Sequence, residues 1–123
     1  MKIILVDTSI WIDHFRKNDI CLGSLLRNEQ VRMHPLILAE LACGNLQHRE
    51  KVLRHLSCLP QIPSATYSEA LQFLHSNMLF GRGIGWVDVV LLASARLAGI
   101  SIWSRDKRLN LAAHHVGVDV HRP

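Results

Sequence analysis

The sequence predicts a single α/β domain in which helices cover both faces of a central, mostly parallel sheet of about five strands. Three observations carry this expectation. Short apolar runs alternate along the chain with segments of helical spacing, and that alternation implies parallel strands joined by helical crossovers. The chain is 123 residues long, a one-domain length that buries a sizeable core without staples. Its composition is globular, 49% hydrophobic and 20% charged with a mean hydropathy of +0.15. That balance excludes a disordered chain, and 7 Gly and 4 Pro exclude collagen-like and low-complexity classes.

The elements follow in order. Lys2–Val6 reads as a short buried strand, four aliphatic residues after a charge. Thr8–Arg16 has helical spacing, and Asp19–Asn28 is a second short helix weakened by Gly23. Gln30–His34 reads as a strand. Pro35 suits the first position of a helix to about Cys43, with Gly44 and Asn45 at its end. Gln47–Leu56 is a charged helix with Val52, Leu53 and Leu56 on one side, and Leu59–Pro63 a short strand bounded by prolines. Thr66-x-x-Glu69 is a capping box that opens a helix to roughly Leu79. Gly81, Gly83 and Gly85 mark a loop. Trp86–Ala98 is a strongly apolar helix stopped by Gly99. Ile100–Ser104 is a buried strand, Arg105–His115 a helix and Val118–His121 a last short strand.

Charge and cysteine usage narrow the function classes. Three cysteines, Cys21, Cys43 and Cys58, are an odd number without a C-x-x-C spacing. They read as small buried hydrophobes in a cytoplasmic protein. The most apolar stretch, Trp86 to Trp103, is interrupted by Asp88 and Arg96 and does not read as a membrane span. Lys2 precedes only four apolar residues, too few for a secretory signal. The net charge is +4, and arginine supplies ten of the fourteen cations; that suits phosphate contact without proving it. His48, His55, His114 and His115 do not have zinc-site spacing and read as surface or core residues.

Four of the ten acids lack an ordinary explanation. Asp7 follows Ile-Ile-Leu-Val at the carboxyl end of the first strand, where it is either a helix cap or a site residue. Glu40 lies in the apolar segment Leu36–Cys43, and its helical neighbours Leu36, Ile37, Cys43 and Gly44 include no charge partner. Asp88 sits in the first turn of the most apolar helix, where the dipole favours it. Asp106 follows the buried strand Ile100–Ser104 at the entrance to the last helix. Parallel strands deliver their carboxyl ends to one sheet edge, the usual place for a site. Four carboxylates gathered there repel unless a cation or protons intervene, and oxygen-only donors suit Mg²⁺ or Mn²⁺.

At this point the sequence resembles a PIN domain, and specifically a VapC-type toxin ribonuclease. The resemblance covers essentially the whole chain. It rests on Val6–Asp13, on Leu38-Ala39-Glu40-Leu41-Ala42-Cys43-Gly44, on Trp86-Val87-Asp88 through Ala95, and on Trp103-Ser104-Arg105-Asp106-Lys107-Arg108-Leu109. Leu109 stands where many members have Phe. The resemblance implies a PIN-like three-layer α/β/α domain over residues 1–123. It implies an endoribonuclease whose catalytic acids are Asp7, Glu40, Asp88 and Asp106, with Asp7, Asp88 and Asp106 as ligands of Mg²⁺ or Mn²⁺. Ser9 and Ser104 match the hydroxyl residues that support the acids.

Such a site hydrolyses phosphodiester bonds: the metal activates a water and screens charge on the leaving oxygen. Glu40 would orient or deprotonate that water. An acidic site repels phosphate, so a basic rim is expected, with Arg82, Arg105, Lys107 and Arg108 as RNA-binding candidates and Arg16 and Lys17 as additions. Trp11 and Trp86 are candidates for stacking on bases, although core packing is the readier expectation for both. The resemblance also implies a cognate antitoxin and a homodimer, for which Ile10, Ile12, Phe15, Leu22, Leu25 and Leu26 offer apolar faces. The competing reading is a non-catalytic nucleic-acid-binding or scaffold module on the same fold. A receiver domain wants an adjacent acidic pair and a haloacid-type phosphatase wants D-x-D after the first strand; Asp7-Thr8-Ser9 is neither. DNA rather than RNA cleavage stays open, because a metal–carboxylate site does not select the 2′-hydroxyl.

Overall fold

A computed structural model describes all residues, 1–123. The chain runs β1 (Ile4–Val6), α1 (Thr8–Arg16), α2 (Ile20–Arg27), β2 (Val31–Arg32), α3 (Pro35–Ala42), α4 (Arg49–Ser57), α5 (Tyr67–Ser76), α6 (Trp86–Ala98), β3 (Ser101–Trp103) and α7 (Lys107–His115). β1 is the central strand of a parallel sheet ordered β2-β1-β3, with Ile4 opposite Val31 and Ser101, and Val6 opposite Trp103. Ile4, Leu5 and Val6 are all fully buried. Successive strand residues point to opposite faces, so both faces of the sheet are covered.

Three strands form, not the expected five. Leu59–Pro63 and Val118–His121 each make a single parallel bridge, Met33 to Gln61 and Ile102 to Val120. Met33 N–H donates to Pro60 O at 2.8 Å and Ile62 N–H to Met33 O at 3.0 Å. Pro60 and Pro63 have no N–H to carry the ladder further. On the other edge Ile102 N–H reaches Asp119 O at 2.9 Å and His121 N–H reaches Ile102 O at 2.8 Å, just before the chain ends.

Local signals place the helices. Pro35 opens α3, with the ring of His34 accepting the Leu36 N–H at 3.0 Å. The Thr66–Glu69 capping box is present with bonds of 2.9 and 3.1 Å. α5 stops at Ser76, short of the expected Leu79, because Met78 takes a left-handed φ of 50°. α6 ends at Gly99 with φ 68°. The core is one cluster around the sheet, including Ile10, Trp11, Ile37, Leu91, Leu92, Ile102 and Leu109. A smaller one (Ala65, Ala70, Val89, Val90, Ala93) packs α5 on α6. No helix is long and apolar enough to cross a membrane.

Packing overturns three expectations. Cys21, Cys43 and Cys58 are free thiols but exposed, not buried, because each lies at a helix end or on the outer side of a helix. Ile10 and Leu22 are fully buried, so they are core residues and not part of a dimer face. Trp11 is 2% exposed and joins the core, whereas Trp86 remains 40% exposed.

Candidate active site

β1 and β3 end side by side, and their ends carry the first site residues. Asp7 N–H donates to Trp103 O at 2.9 Å, locking Asp7 to the end of β3. Asp7 holds the cap position of α1, but its carboxylate accepts no capping bond. Its Oδ2 accepts instead from the hydroxyls of Ser104 at 2.7 Å and Ser9 at 3.2 Å. Asp7 is 8% exposed, and its Oδ1 has no protein donor.

The same two hydroxyls organise the turn into α7. Ser104 Oγ accepts the Asp106 N–H at 3.0 Å and Ser9 Oγ accepts the Arg105 N–H at 3.1 Å. Asp106 caps α7 through Oδ1, which accepts from Arg108 N–H at 2.9 Å and Leu109 N–H at 3.3 Å. Only one oxygen is used, so capping and a site role coexist. Asp88, in the first turn of α6, accepts the Gly85 N–H on Oδ2 at 3.2 Å. Glu40, on α3, accepts from Thr8 Oγ1 at 3.0 Å.

Electrostatics joins the four acids. Half-burial raises the Asp88 carboxyl above its ordinary range; the Gly85 N–H opposes the shift, and the charges of Asp7, Asp106 and Glu40 add to it. The protein's ion pairs, Lys2–Asp119, Arg105–Asp13 and Arg105–Asp19, include none of the four. The side chains do not converge as a closed ligand set, since no three His, Cys, Asp or Glu groups are placed to hold an ion. The donor set is nevertheless all oxygen and short of positive charge, which fits a hard divalent cation and not zinc.

Two polar residues went unnoticed in the sequence. Thr8 fixes Glu40, and Asn110 Nδ2 donates to Ser104 O at 2.9 Å. A hydroxyl directly after Asp7 and an amide one turn beyond Asp106 were the available signals. Of the basic candidates, Arg105 is held by Asp13 and Asp19. Arg82 donates to Met78 O at 3.0 Å and contacts His115. Lys107 and Arg108 are exposed on the first turn of α7, and Arg108 crosses Gly83 so closely that a Cβ there would lie 2.9 Å from its Cδ.

A groove of about 1060 Å³ runs along α1, α3 and α4. Trp11, Phe15, Leu41, Val52 and Leu56 line it, and it reaches Glu40. Trp11 Nε1 is buried with no hydrogen-bond partner.

Comparisons with known proteins give the family and the fold. A PIN domain family model matches residues 4–114. The chain is 45% identical over 116 residues to Ribonuclease VapC32 of two Mycobacterium tuberculosis strains, covering 94% of each sequence. Among solved structures it resembles PAE2754 from Pyrobaculum aerophilum, with a TM-score of 0.69 at 14% identity over 97% of this chain and 89% of that one. It also resembles FitAcB from Neisseria gonorrhoeae, with a TM-score of 0.64 at 18% identity over 98% and 97% of the two chains. A structure of FitAB bound to a DNA fragment gives a TM-score of 0.64 at 14% identity over 97% and 94%.

Proposed function

The chain belongs to the PIN domain family, and from that premise we propose that it is an endoribonuclease, the toxin of a toxin–antitoxin pair, that hydrolyses RNA phosphodiester bonds at the Asp7–Glu40–Asp88–Asp106 site. One observation carries the assignment to this site: Asp7, Asp106 and Glu40 lie close enough to Asp88 for their charges to raise its carboxyl, and no basic side chain is paired to any of the four. Likeness to a ribonuclease over nearly the full length supports the reaction class.

Asp7, Asp88 and Asp106 would hold Mg²⁺, with Mn²⁺ as a substitute, and the ion would supply Lewis-acid polarisation of the phosphate and a lowered pKa for the attacking water. Ser104 and Ser9 orient Asp7 through Oδ2 and leave Oδ1 for the ion. Asp106 likewise keeps Oδ2 free while Oδ1 caps α7. Thr8 holds Glu40 by Oε1, so that Oε2 orients the attacking water and accepts its proton. Arg82, Lys107 and Arg108 form the basic rim that brings the RNA backbone over the acids; Arg105 joins it with its charge already shared with Asp13 and Asp19.

The antitoxin lies in the groove along α1, α3 and α4. It meets an apolar wall and, at one end, Glu40. A chain seated there covers Glu40, the one of the four acids that lines the groove. The protein works in the cytoplasm as a homodimer.

The test is cleavage of total RNA by the purified protein with Mg²⁺ or Mn²⁺, beside Asp7→Asn, Asp88→Asn and an EDTA control, with matched RNA and DNA oligomers. Metal-dependent RNA cleavage lost in both variants supports the assignment. A folded, antitoxin-free protein that cleaves nothing with either metal transfers the case to the binding-module reading.

A further inference from the structure

We propose that Tyr67 and Trp86 form a platform on which an unpaired RNA base stacks beside the acidic site, a substrate subsite that rests on the ribonuclease reading above. Trp86 is the first residue of α6, two before Asp88, and the Gly85 N–H between loop and helix is bonded to Asp88. The aromatic face is therefore attached to the same turn that presents the carboxylate.

The two rings lie 5.3 Å apart between centroids with 46° between their planes. Tyr67 is 70% exposed and Trp86 40%, whereas Trp11 and Trp103 are 2% and 4% exposed. A chain that buries its other tryptophans leaves this one open. Neither the Tyr67 hydroxyl nor the Trp86 indole N–H hydrogen-bonds to the protein, so both polar tips are available to a base edge or a ribose. Phe80 on the same α5–α6 connection is also exposed.

Charge selects the occupant. Arg108 crosses Gly83 in this connection and Arg82 lies beside it in sequence, tied to Met78 O. An exposed aromatic pair, one ring on the helix turn that also carries Asp88, with Arg108 packed on the connection leading into it, matches single-stranded RNA: π-faces take bases and cations take phosphates. A duplex hides its base faces and does not fit.

Trp86 is the one exposed tryptophan, so intrinsic fluorescence reads the platform directly. The wild type is titrated in EDTA with an unstructured RNA octamer, the same octamer with abasic positions, and a duplex. Saturable quenching by the intact octamer alone is expected, weakened in Tyr67→Ala, which keeps the Trp86 reporter; in the cleavage assay the affinity lost in Trp86→Leu is regained in part with Trp86→Phe. Tyr67→Ala and Trp86→Leu raise KM about 5- to 150-fold, the fold-change equivalent of one base's stacking at roughly 1–3 kcal/mol, with kcat little changed. Unchanged KM in both variants, or equal quenching by abasic RNA, overturns the platform while leaving cleavage intact. Variants that become monomeric in sedimentation with RNA affinity unaltered show a contact between two copies instead, and also overturn it. Base-dependent quenching by a wild type that cleaves no RNA keeps the platform and defeats the ribonuclease reading.

Discussion

Ser104 Oγ donates to Asp7 Oδ2 at 2.7 Å, across 97 positions of sequence, and so ties the end of β3 to the end of β1. The same oxygen accepts the Asp106 N–H at 3.0 Å. One buried hydroxyl thus sets the position of two acids.

Removing that hydroxyl tests its double role. Ser104→Ala leaves Asp7 with Ser9 as its only donor and the Asp106 N–H without an acceptor. A hydrogen bond to a charged group is worth about 1.5–3 kcal/mol, so a stability loss near that size is expected in urea unfolding. Mg²⁺ affinity by calorimetry falls as well. A loss of stability with unaltered metal affinity would limit Ser104 to a structural role.

Thr8→Val keeps shape and removes the donor to Glu40. A Glu40 free to swing lowers turnover about 10- to 100-fold, the rate equivalent of a charged hydrogen bond. The carboxylate is exposed, so unfolding curves stay within about 0.5 kcal/mol of wild type. Single-turnover cleavage at saturating Mg²⁺ separates this loss from weaker metal binding.

Asp88→Asn has opposite effects on stability and activity. The raised Asp88 carboxyl favours the protonated form, so its contribution to stability is present at low pH and lost as pH rises through the ordinary Asp value towards the folded one. At neutral pH without metal the charge works against folding, chiefly through half-burial and then through its acidic neighbours. Asparagine still accepts the Gly85 N–H. Thermal melting in EDTA is expected to show a gain of up to about 1 kcal/mol, while RNA cleavage disappears. A less stable variant in EDTA would refute the electrostatic account.

His34 gives the fold an acid-side weakness. Its ring is fully buried, with Nδ1 accepting the Leu36 N–H at 3.0 Å and Nε2 at 3.3 Å from Ser94 Oγ. Ser94 in turn donates to Val90 O at 2.7 Å and accepts the Ala65 N–H at 2.9 Å. This pattern requires a neutral ring protonated on Nε2. Burial lowers the His34 pKa, so its contribution is full above the ordinary histidine value of about 6.5 and falls as pH drops towards the folded value. His34→Asn preserves the cap on Leu36 and does not titrate. It costs roughly 1–3 kcal/mol at pH 7.5 through lost ring packing. It also flattens the fall in stability below about pH 6.5, read by urea midpoints; an unchanged slope would assign the fall to other groups.

The acids were legible one at a time because each strand is a short apolar run closed by a polar residue, and a parallel sheet puts such ends on one edge. Asp7 and Asp106 follow from that rule alone. Glu40 was legible by its lack of a partner among Leu36, Ile37, Cys43 and Gly44. Thr8 was not, because it reads as an ordinary first helical residue until α3 is placed beside α1. Trp11 and Trp86 each sit near the start of an apolar helix, yet one is buried and the other open; periodicity does not say which side a neighbouring element will cover.

From the sequence by itself follow the alternation of strands and helices, the helix caps at Thr66 and Asp106, the four acids and the family. These depend on residue type and local spacing, which the chain states directly. Tertiary structure alone decided that three strands form where five were expected, that the cysteines face outward, that Arg105 spends its charge on Asp13 and Asp19, and that Ser104 serves Asp7 and Asp106 together. Each of these depends on which distant segments meet, and that is set by the joint packing of the whole core.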